Sequence, residues 1–190
     1  MTTTANVQLN DLAQQLIEKL ETKNATIGVV GLGYVGLPLA VEKAKAGYNV
    51  IGFDVQEEKV AKVNKGENYI GDVLPEDLEN LVFSGRLSAT ADYSFIKEVD
   101  ALAICVPTPL DIYKHPNMKY VESSAKAIAQ NFTKGTLIVL ESTTYPGTTE
   151  ELIKPILEES GLVCGEDFFL AYSPERVDPG NKQFKTKNTP

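Results

Sequence analysis

Cysteine, histidine and tryptophan are nearly missing from this chain: two, one and none among 190 residues. Cys105 and Cys164 are too few for a disulfide framework, and neither has metal-ligand spacing. Cys105 lies in the apolar run 101–106 and reads as a small buried hydrophobe; Cys164, before Gly165-Glu166-Asp167, reads as a structural or incidental surface thiol. His115 stands in a Lys-His-Pro loop with no matching partner in sequence, which leaves no ligand set for a metal. Cationic clusters are absent too. The 18 Lys+Arg against 26 Asp+Glu give a net charge of −8, without the basic patches that engage nucleic acid or anionic membranes. No apolar run approaches the roughly 20 residues that cross a bilayer. The start, MTTTANVQLNDLAQQL, lacks the basic segment and apolar core of a secretory signal. The expectation is a cytoplasmic protein with no metal, no nucleic acid and no membrane contact.

What is present is the mix of an ordinary globular chain, 43% apolar and 23% charged, long enough for one full core. Leu9, Leu12, Leu16, Ile17 and Leu20 share one helical face, with Asn10 or Asp11 as cap. Apolar strands are expected at 26–30, 49–53, 100–106, 136–140 and 168–172, with a short one at 87–90. Helices fall between them at 35–46, 57–64, 75–82, 119–131 and 148–160, with a helical turn at 92–97 and Thr148 or Thr149 capping the helix at 148. This alternation predicts an α/β fold, a doubly wound parallel sheet of Rossmann type. The closing Lys187-Asn188-Thr189-Pro190 has no helix end or tail composition and reads as a cut inside a longer chain. The expected division is a helical extension over 1–23, a dinucleotide-binding domain over 24–180, and the start of a linker over 181–190.

The strongest local signal is Gly31-Leu32-Gly33-Tyr34-Val35-Gly36, a G-x-G-x-x-G that follows a predicted strand and opens a predicted helix. Gly31 permits the tight turn, Gly33 lets backbone approach a pyrophosphate, and Gly36 lets helix and strand pack closely. The free amides and positive dipole end of the helix then hold phosphates. Asp54, at the end of the second strand, is placed to accept hydrogen bonds from an adenosine ribose. A 2′-phosphate there would meet like charge, which favours NAD over NADP. Lys59 is the only cation nearby, and it either touches the ribose or merely solvates its helix. Two further strand ends, Val106-Pro107-Thr108-Pro109 and Glu141-Ser142-Thr143-Thr144-Tyr145-Pro146-Gly147, fall on the same rim. Ser142 and Thr143 read there either as cofactor contacts or as simple caps. Glu175 and Arg176, on the proline-bounded turn after the last strand, either meet a charged substrate or form a surface ion pair.

Together the stretches GLGYVGLPLA (31–40), the Asp54 and Lys59 pair, CVPTPL (105–110), ESTTYPGTTE (141–150) and YSPERVDPGN (172–181) resemble the nucleotide-sugar 6-dehydrogenases related to UDP-glucose and GDP-mannose dehydrogenase. The SPERVDPGN form is more similar to the branch acting on UDP-N-acetylglucosamine or UDP-N-acetylmannosamine. The UDP-glucose branch carries a second acid where this chain has Pro179. The resemblance implies a four-electron oxidation of a UDP-sugar C6 alcohol to the carboxylate with two NAD⁺, through a thioester on an enzyme cysteine. It puts Gly31, Gly33, Tyr34, Val35, Gly36, Asp54, Lys59, Val106, Thr108, Ser142 and Thr143 at the cofactor. It gives Thr143 a place between nicotinamide and substrate, helping to hold a reactive water. It makes Glu175 the acid/base of thioester hydrolysis and puts Arg176 against substrate or a neighbouring carboxylate. In the family the nucleophilic cysteine and most of the sugar pocket lie in a central helix and second domain, and the central helix also forms the dimers. The expectation is therefore a cofactor domain that is inactive alone, within a parent that is a homodimer or larger. Two alternatives stand beside it: the domain of a β-hydroxyacid-type dehydrogenase, and an NAD-sensing module without chemistry.

Overall fold

A computed structural model of the chain describes residues 10–110, 112 and 114–174. The first helix, α1 (Asp11–Glu21), opens on Asn10, whose side chain accepts the Ala13 amide hydrogen at 2.8 Å. Then follow β1 (Thr26–Val30), α2 (Gly36–Lys45), β2 (Asn49–Phe53), α3 (Glu57–Asn64), α4 (Pro75–Phe83) and β3 (Leu87–Thr90). A 3₁₀ turn over Tyr93–Glu98 leads to β4 (Ala101–Ile104), α5 (Lys119–Ala129) and β5 (Leu137–Leu140). A π-helical turn at Thr148–Ile153 runs into α6 (Lys154–Glu158), and β6 (Phe169–Tyr172) completes the sheet.

All pairings are parallel, in the order β3-β2-β1-β4-β5-β6. This is the dinucleotide-binding topology, with its switch point between β1 and β4. The alternation of side chains along each strand feeds two cores. In β4, Ala101 and Ala103 join the core under α2 and α4, while Leu102 and Ile104 join the one under α5 and α6. Small residues sit where the layers crowd: a Cβ on Gly28 would lie 2.3 Å from Leu102 Cδ1. Each fully buried Leu or Ile contributes about 1.5–3 kcal/mol, so these two faces supply most of the driving force.

One departure from the expected elements is local. Thr148–Ser160 does not form a single α-helix. Pro155 has no amide hydrogen and its ring crowds the preceding turn, so a wider π turn precedes it and Pro155 enters in the first turn of α6. Nor does Thr148 or Thr149 cap this turn. Gly147, at φ +91°, holds the capping position without a side-chain bond, and the buried Thr148 hydroxyl donates to the Tyr145 carbonyl at 2.7 Å.

At the opposite, amino end of the sheet, Asp100 joins three pieces. One carboxylate oxygen accepts the Thr26 amide hydrogen at 2.8 Å, and the other receives Lys19 Nζ from α1 at 2.7 Å. Asn10 donates to the Glu166 carbonyl at 2.9 Å, so α1 crosses the amino ends of β4, β5 and β6.

Candidate functional site

The three motif glycines have three different neighbourhoods. Gly31 turns at φ +92°, and a Cβ there would lie 2.8 Å from the Cys105 carbonyl oxygen. A Cβ on Gly36 would lie 1.8 Å from the Gly31 carbonyl oxygen, so only glycine allows α2 to start that close to β1. Around Gly33 no atom lies within 4 Å of an added Cβ. The protein itself therefore has no steric need for a glycine there. The loop is anchored by the Leu32 side chain, fully buried against Gly52. The first backbone bonds of α2 run from Leu37 to the Gly33 carbonyl and from Leu39 to Val35. The amides of Tyr34, Val35 and Gly36 have no backbone acceptor among the described residues, and they lie at the positive end of the helix dipole.

Asp54, 5% exposed, follows β2 directly beneath this loop. Its Oδ2 accepts the Leu32 amide hydrogen and its Oδ1 the Gln56 amide hydrogen, both at 2.9 Å. Lys59 Nζ stands 3.5 Å from Oδ2. A carboxylate offers about four lone-pair positions, so Asp54 is fixed by the main chain and still has acceptor capacity for a ligand's hydroxyls. Tyr93, tilted against Phe53 with centroids 5.7 Å apart, has its hydroxyl pushed up to about 12 by burial and by the Asp54 charge. Tyr69 donates to the Leu32 carbonyl at 2.8 Å, and the same two causes raise its hydroxyl well above the usual tyrosine range.

The carboxyl ends of the strands enclose a cleft with two lobes that share Gly31, Asp54, Lys59, Val106 and Pro107. The larger, about 610 Å³, extends over Val55, Gln56, Glu57 and Tyr93 to Tyr120, Ser123, Ser124 and Ala127 on α5. The smaller, about 260 Å³, is bordered by Gly33, Tyr34, Val35, Cys105, Thr108, Glu141, Ser142 and Thr143. Ten of the expected site residues therefore meet in one place, with Gly36 packed just behind them. Ser142 lines the cleft, but its buried hydroxyl faces the Val106 and Ile104 carbonyls at 2.8 and 3.2 Å and ties β5 to β4. Thr143 is exposed on the rim. Cys105 is 7% exposed, as a small core residue would be. Glu175 and Arg176 lie outside the described residues. Tyr69, Tyr93, Tyr120 and the α5 serines have no local motif, and only the alternation of elements, which brings α5 over the β4 end, could have pointed to them. Among the described residues no group of three or more His, Cys, Asp or Glu could hold a metal ion, and no helix is long and apolar enough to cross a membrane.

The chain is similar along its length to proteins of known kind. It is 40% identical over 167 residues to the UDP-N-acetyl-D-glucosamine 6-dehydrogenase of Pseudomonas aeruginosa, covering 87% of this chain and 39% of that protein. It is 42% identical over 161 residues to the UDP-N-acetyl-D-mannosamine dehydrogenase of Campylobacter jejuni, covering 80% and 39%. The solved structure of the UDP-N-acetyl-mannosamine dehydrogenase of Pyrococcus horikoshii superposes with a TM-score of 0.77 at 38% identity, over 82% of this chain and 37% of that one. The chain thus spans under two fifths of the length of these relatives. Residues 25–190 match the sequence pattern of the NAD-binding domain of the UDP-glucose/GDP-mannose dehydrogenases. With the sheet order, the glycine loop and the cleft in agreement, the chain belongs to the UDP-glucose/GDP-mannose dehydrogenase family, as its NAD-binding domain.

Proposed function

We propose that this chain is the cofactor-binding part of an enzyme that oxidises the C6 alcohol of a UDP-N-acetylhexosamine, with UDP-N-acetylglucosamine the first substrate to assay. The observation that carries the reading is Asp54, held rigidly at the fork of the cleft by the Leu32 and Gln56 amides. The residues present fit NAD. The open space above Gly33 admits a diphosphate, the amides of Tyr34, Val35 and Gly36 at the start of α2 would hold it, and the larger lobe has room for an adenosine. Asp54 would accept the ribose hydroxyls with Lys59 beside it, and Val106 and Thr108 would border the cofactor. Asp54 and Glu57 both line the lobe, so a 2′-phosphate would meet two negative charges, which supports NAD over NADP.

Bound NAD⁺ would supply a hydride acceptor. The chain's own part is to orient it and to place polar groups at the rim. Ser142 would border the cofactor while keeping the β4 and β5 ends together, so that Thr143 stands over the smaller lobe. There Thr143 would hold a water between cofactor and sugar. Glu175, two residues beyond Ser173 in sequence, would move protons to and from that water, and Arg176 would contact the substrate. The relatives' substrates support the sugar class. Most of each relative's length lies outside the match, so we assign this stretch cofactor binding over about 24–180 and no turnover by itself.

The test is calorimetric titration of the chain with NAD⁺ and NADP⁺, followed by incubation with NAD⁺ and UDP-N-acetylglucosamine while NADH absorbance is recorded. The expected result is NAD⁺ binding about tenfold or more tighter than NADP⁺ with no steady NADH production. Absence of NAD⁺ binding, or equal affinity for the two cofactors, refutes the assignment of Asp54. Steady turnover refutes the division of labour.

A further inference from the structure

Leu32, in the middle of the glycine loop, is gripped from two sides. Its amide donates to Asp54 Oδ2 at 2.9 Å, and its carbonyl accepts the Tyr69 hydroxyl at 2.8 Å. Tyr69 comes from 37 positions downstream, in the connection between α3 and α4. That connection is stiff. Asn68 Oδ1 accepts the Ile70 amide hydrogen at 3.0 Å, and its Nδ2 donates to the carbonyls of Ile70 and Val73 at 2.9 and 2.7 Å.

The carbonyl that Tyr69 holds belongs to the same peptide unit as the Gly33 amide. The bond is trans, so the carbonyl and the N–H point in opposite directions across one plane. Fixing the carbonyl toward Tyr69 fixes the Gly33 hydrogen on the other side. Gly33 is the loop glycine that lines the smaller lobe and whose Cα faces open space. A hydrogen bond accepted by the carbonyl also polarises the amide and makes its N–H a stronger donor.

The geometry points to Tyr69 as a positioning residue for diphosphate recognition: acting through the Leu32 carbonyl, its hydroxyl sets the direction of the Gly33 amide toward the diphosphate of a bound nucleotide. This rests on the reading of the cleft as a dinucleotide site and adds to it a residue outside the glycine motif. Burial and the Asp54 charge keep the hydroxyl protonated far above neutral pH, so the donor persists across the physiological range.

Tyr69→Phe removes the hydroxyl and keeps the ring. Titrating the chain with ADP, and separately with adenosine, isolates the diphosphate contribution. An amide spectrum of ¹⁵N-labelled protein follows Gly33. The Kd for ADP and for NAD⁺ should rise about 3- to 10-fold, the worth of one hydrogen bond, with adenosine unchanged. The downfield shift of the Gly33 amide on ADP addition should shrink. Asn68→Ala, which loosens the turn but keeps the hydroxyl, should give a smaller loss in the same direction and decides the matter if Tyr69→Phe does not fold. Unchanged ADP affinity with an unchanged Gly33 signal overturns the role of Tyr69. So does an equal loss for ADP and adenosine, which reports general loosening. A wild-type chain that binds neither ADP nor NAD⁺ instead overturns the cofactor reading, and this inference with it.

Discussion

The Asp54 carboxylate accepts the Leu32 amide hydrogen across 22 positions of sequence, joining the turn after β1 to the end of β2. One side chain thereby fixes the glycine loop and, in the proposed reading, would present oxygens to a ribose. Asp54→Ala removes both functions. NAD⁺ affinity should fall about 10- to 100-fold, the loss of one or two hydrogen bonds to a charged acceptor, and discrimination against NADP⁺ should shrink. Calorimetry with both cofactors checks this.

Gly33→Ala and Gly36→Ala should separate binding from folding. A methyl on Gly33 meets no protein atom, so the melting temperature should move little while NAD⁺ binding drops at least about tenfold through a clash with the diphosphate. A methyl on Gly36 lands on the Gly31 carbonyl, and the helix must shift, at about 1–3 kcal/mol or more. Denaturant melts beside cofactor titrations distinguish the two. Equal stability of both variants would contradict the packing argument.

Tyr69 and Tyr93 give the cleft a defined response to base. Their hydroxyls ionise later in the folded chain than the ordinary value of 10.0, because burial and Asp54 oppose the anion. The unfolded chain therefore releases these protons first. Their contribution to stability is constant below pH 10 and is lost as pH rises above it. Ultraviolet titration of the native protein should show two tyrosines still silent above pH 10, with cofactor affinity flat between pH 7 and pH 9. An affinity that falls with tyrosine ionisation in that window would contradict the environment described.

Lys19→Ala should cost less than about 1 kcal/mol, because the lysine end of its ion pair with Asp100 is half in solvent. Asp100→Ala should cost more, about 1–3 kcal/mol, since it also strips the Thr26 amide of its acceptor at the start of β1. Urea unfolding of the two single variants and the double variant measures the difference. A larger loss for Lys19→Ala would reverse the assigned importance.

Much of this was readable in the residues themselves, and for a reason. β1, β2 and β3 coincide with their expected spans because each is closed by a turn signal, Gly31, Asp54 and the acidic turn after Thr90. The outer parts of the cleft are set by sequence-local signals, glycines and the aspartate closing β2. What was not readable depends on distance. Tyr69 meets Leu32 only after α2, β2 and α3 have folded between them, and Tyr93 approaches Asp54 only through its packing on Phe53. The π turn escaped because periodicity alone continues through Thr148–Ser160, whereas Pro155 forbids a regular ladder there. Ser142 lines the cleft, yet its hydroxyl serves the main chain, a distinction that needs the Val106 carbonyl in view.

Since α1 rests on one end of the sheet and the cleft opens at the other, β4 is a bridge of four residues, about 13 Å long, between two anchorages. Slack at the Asp100 abutment would travel along that span to Cys105 and the turn that backs Gly31. Deuterium uptake along β4 should accordingly slow when the nucleotide clamps the far end and quicken when α1 is prised from the near one.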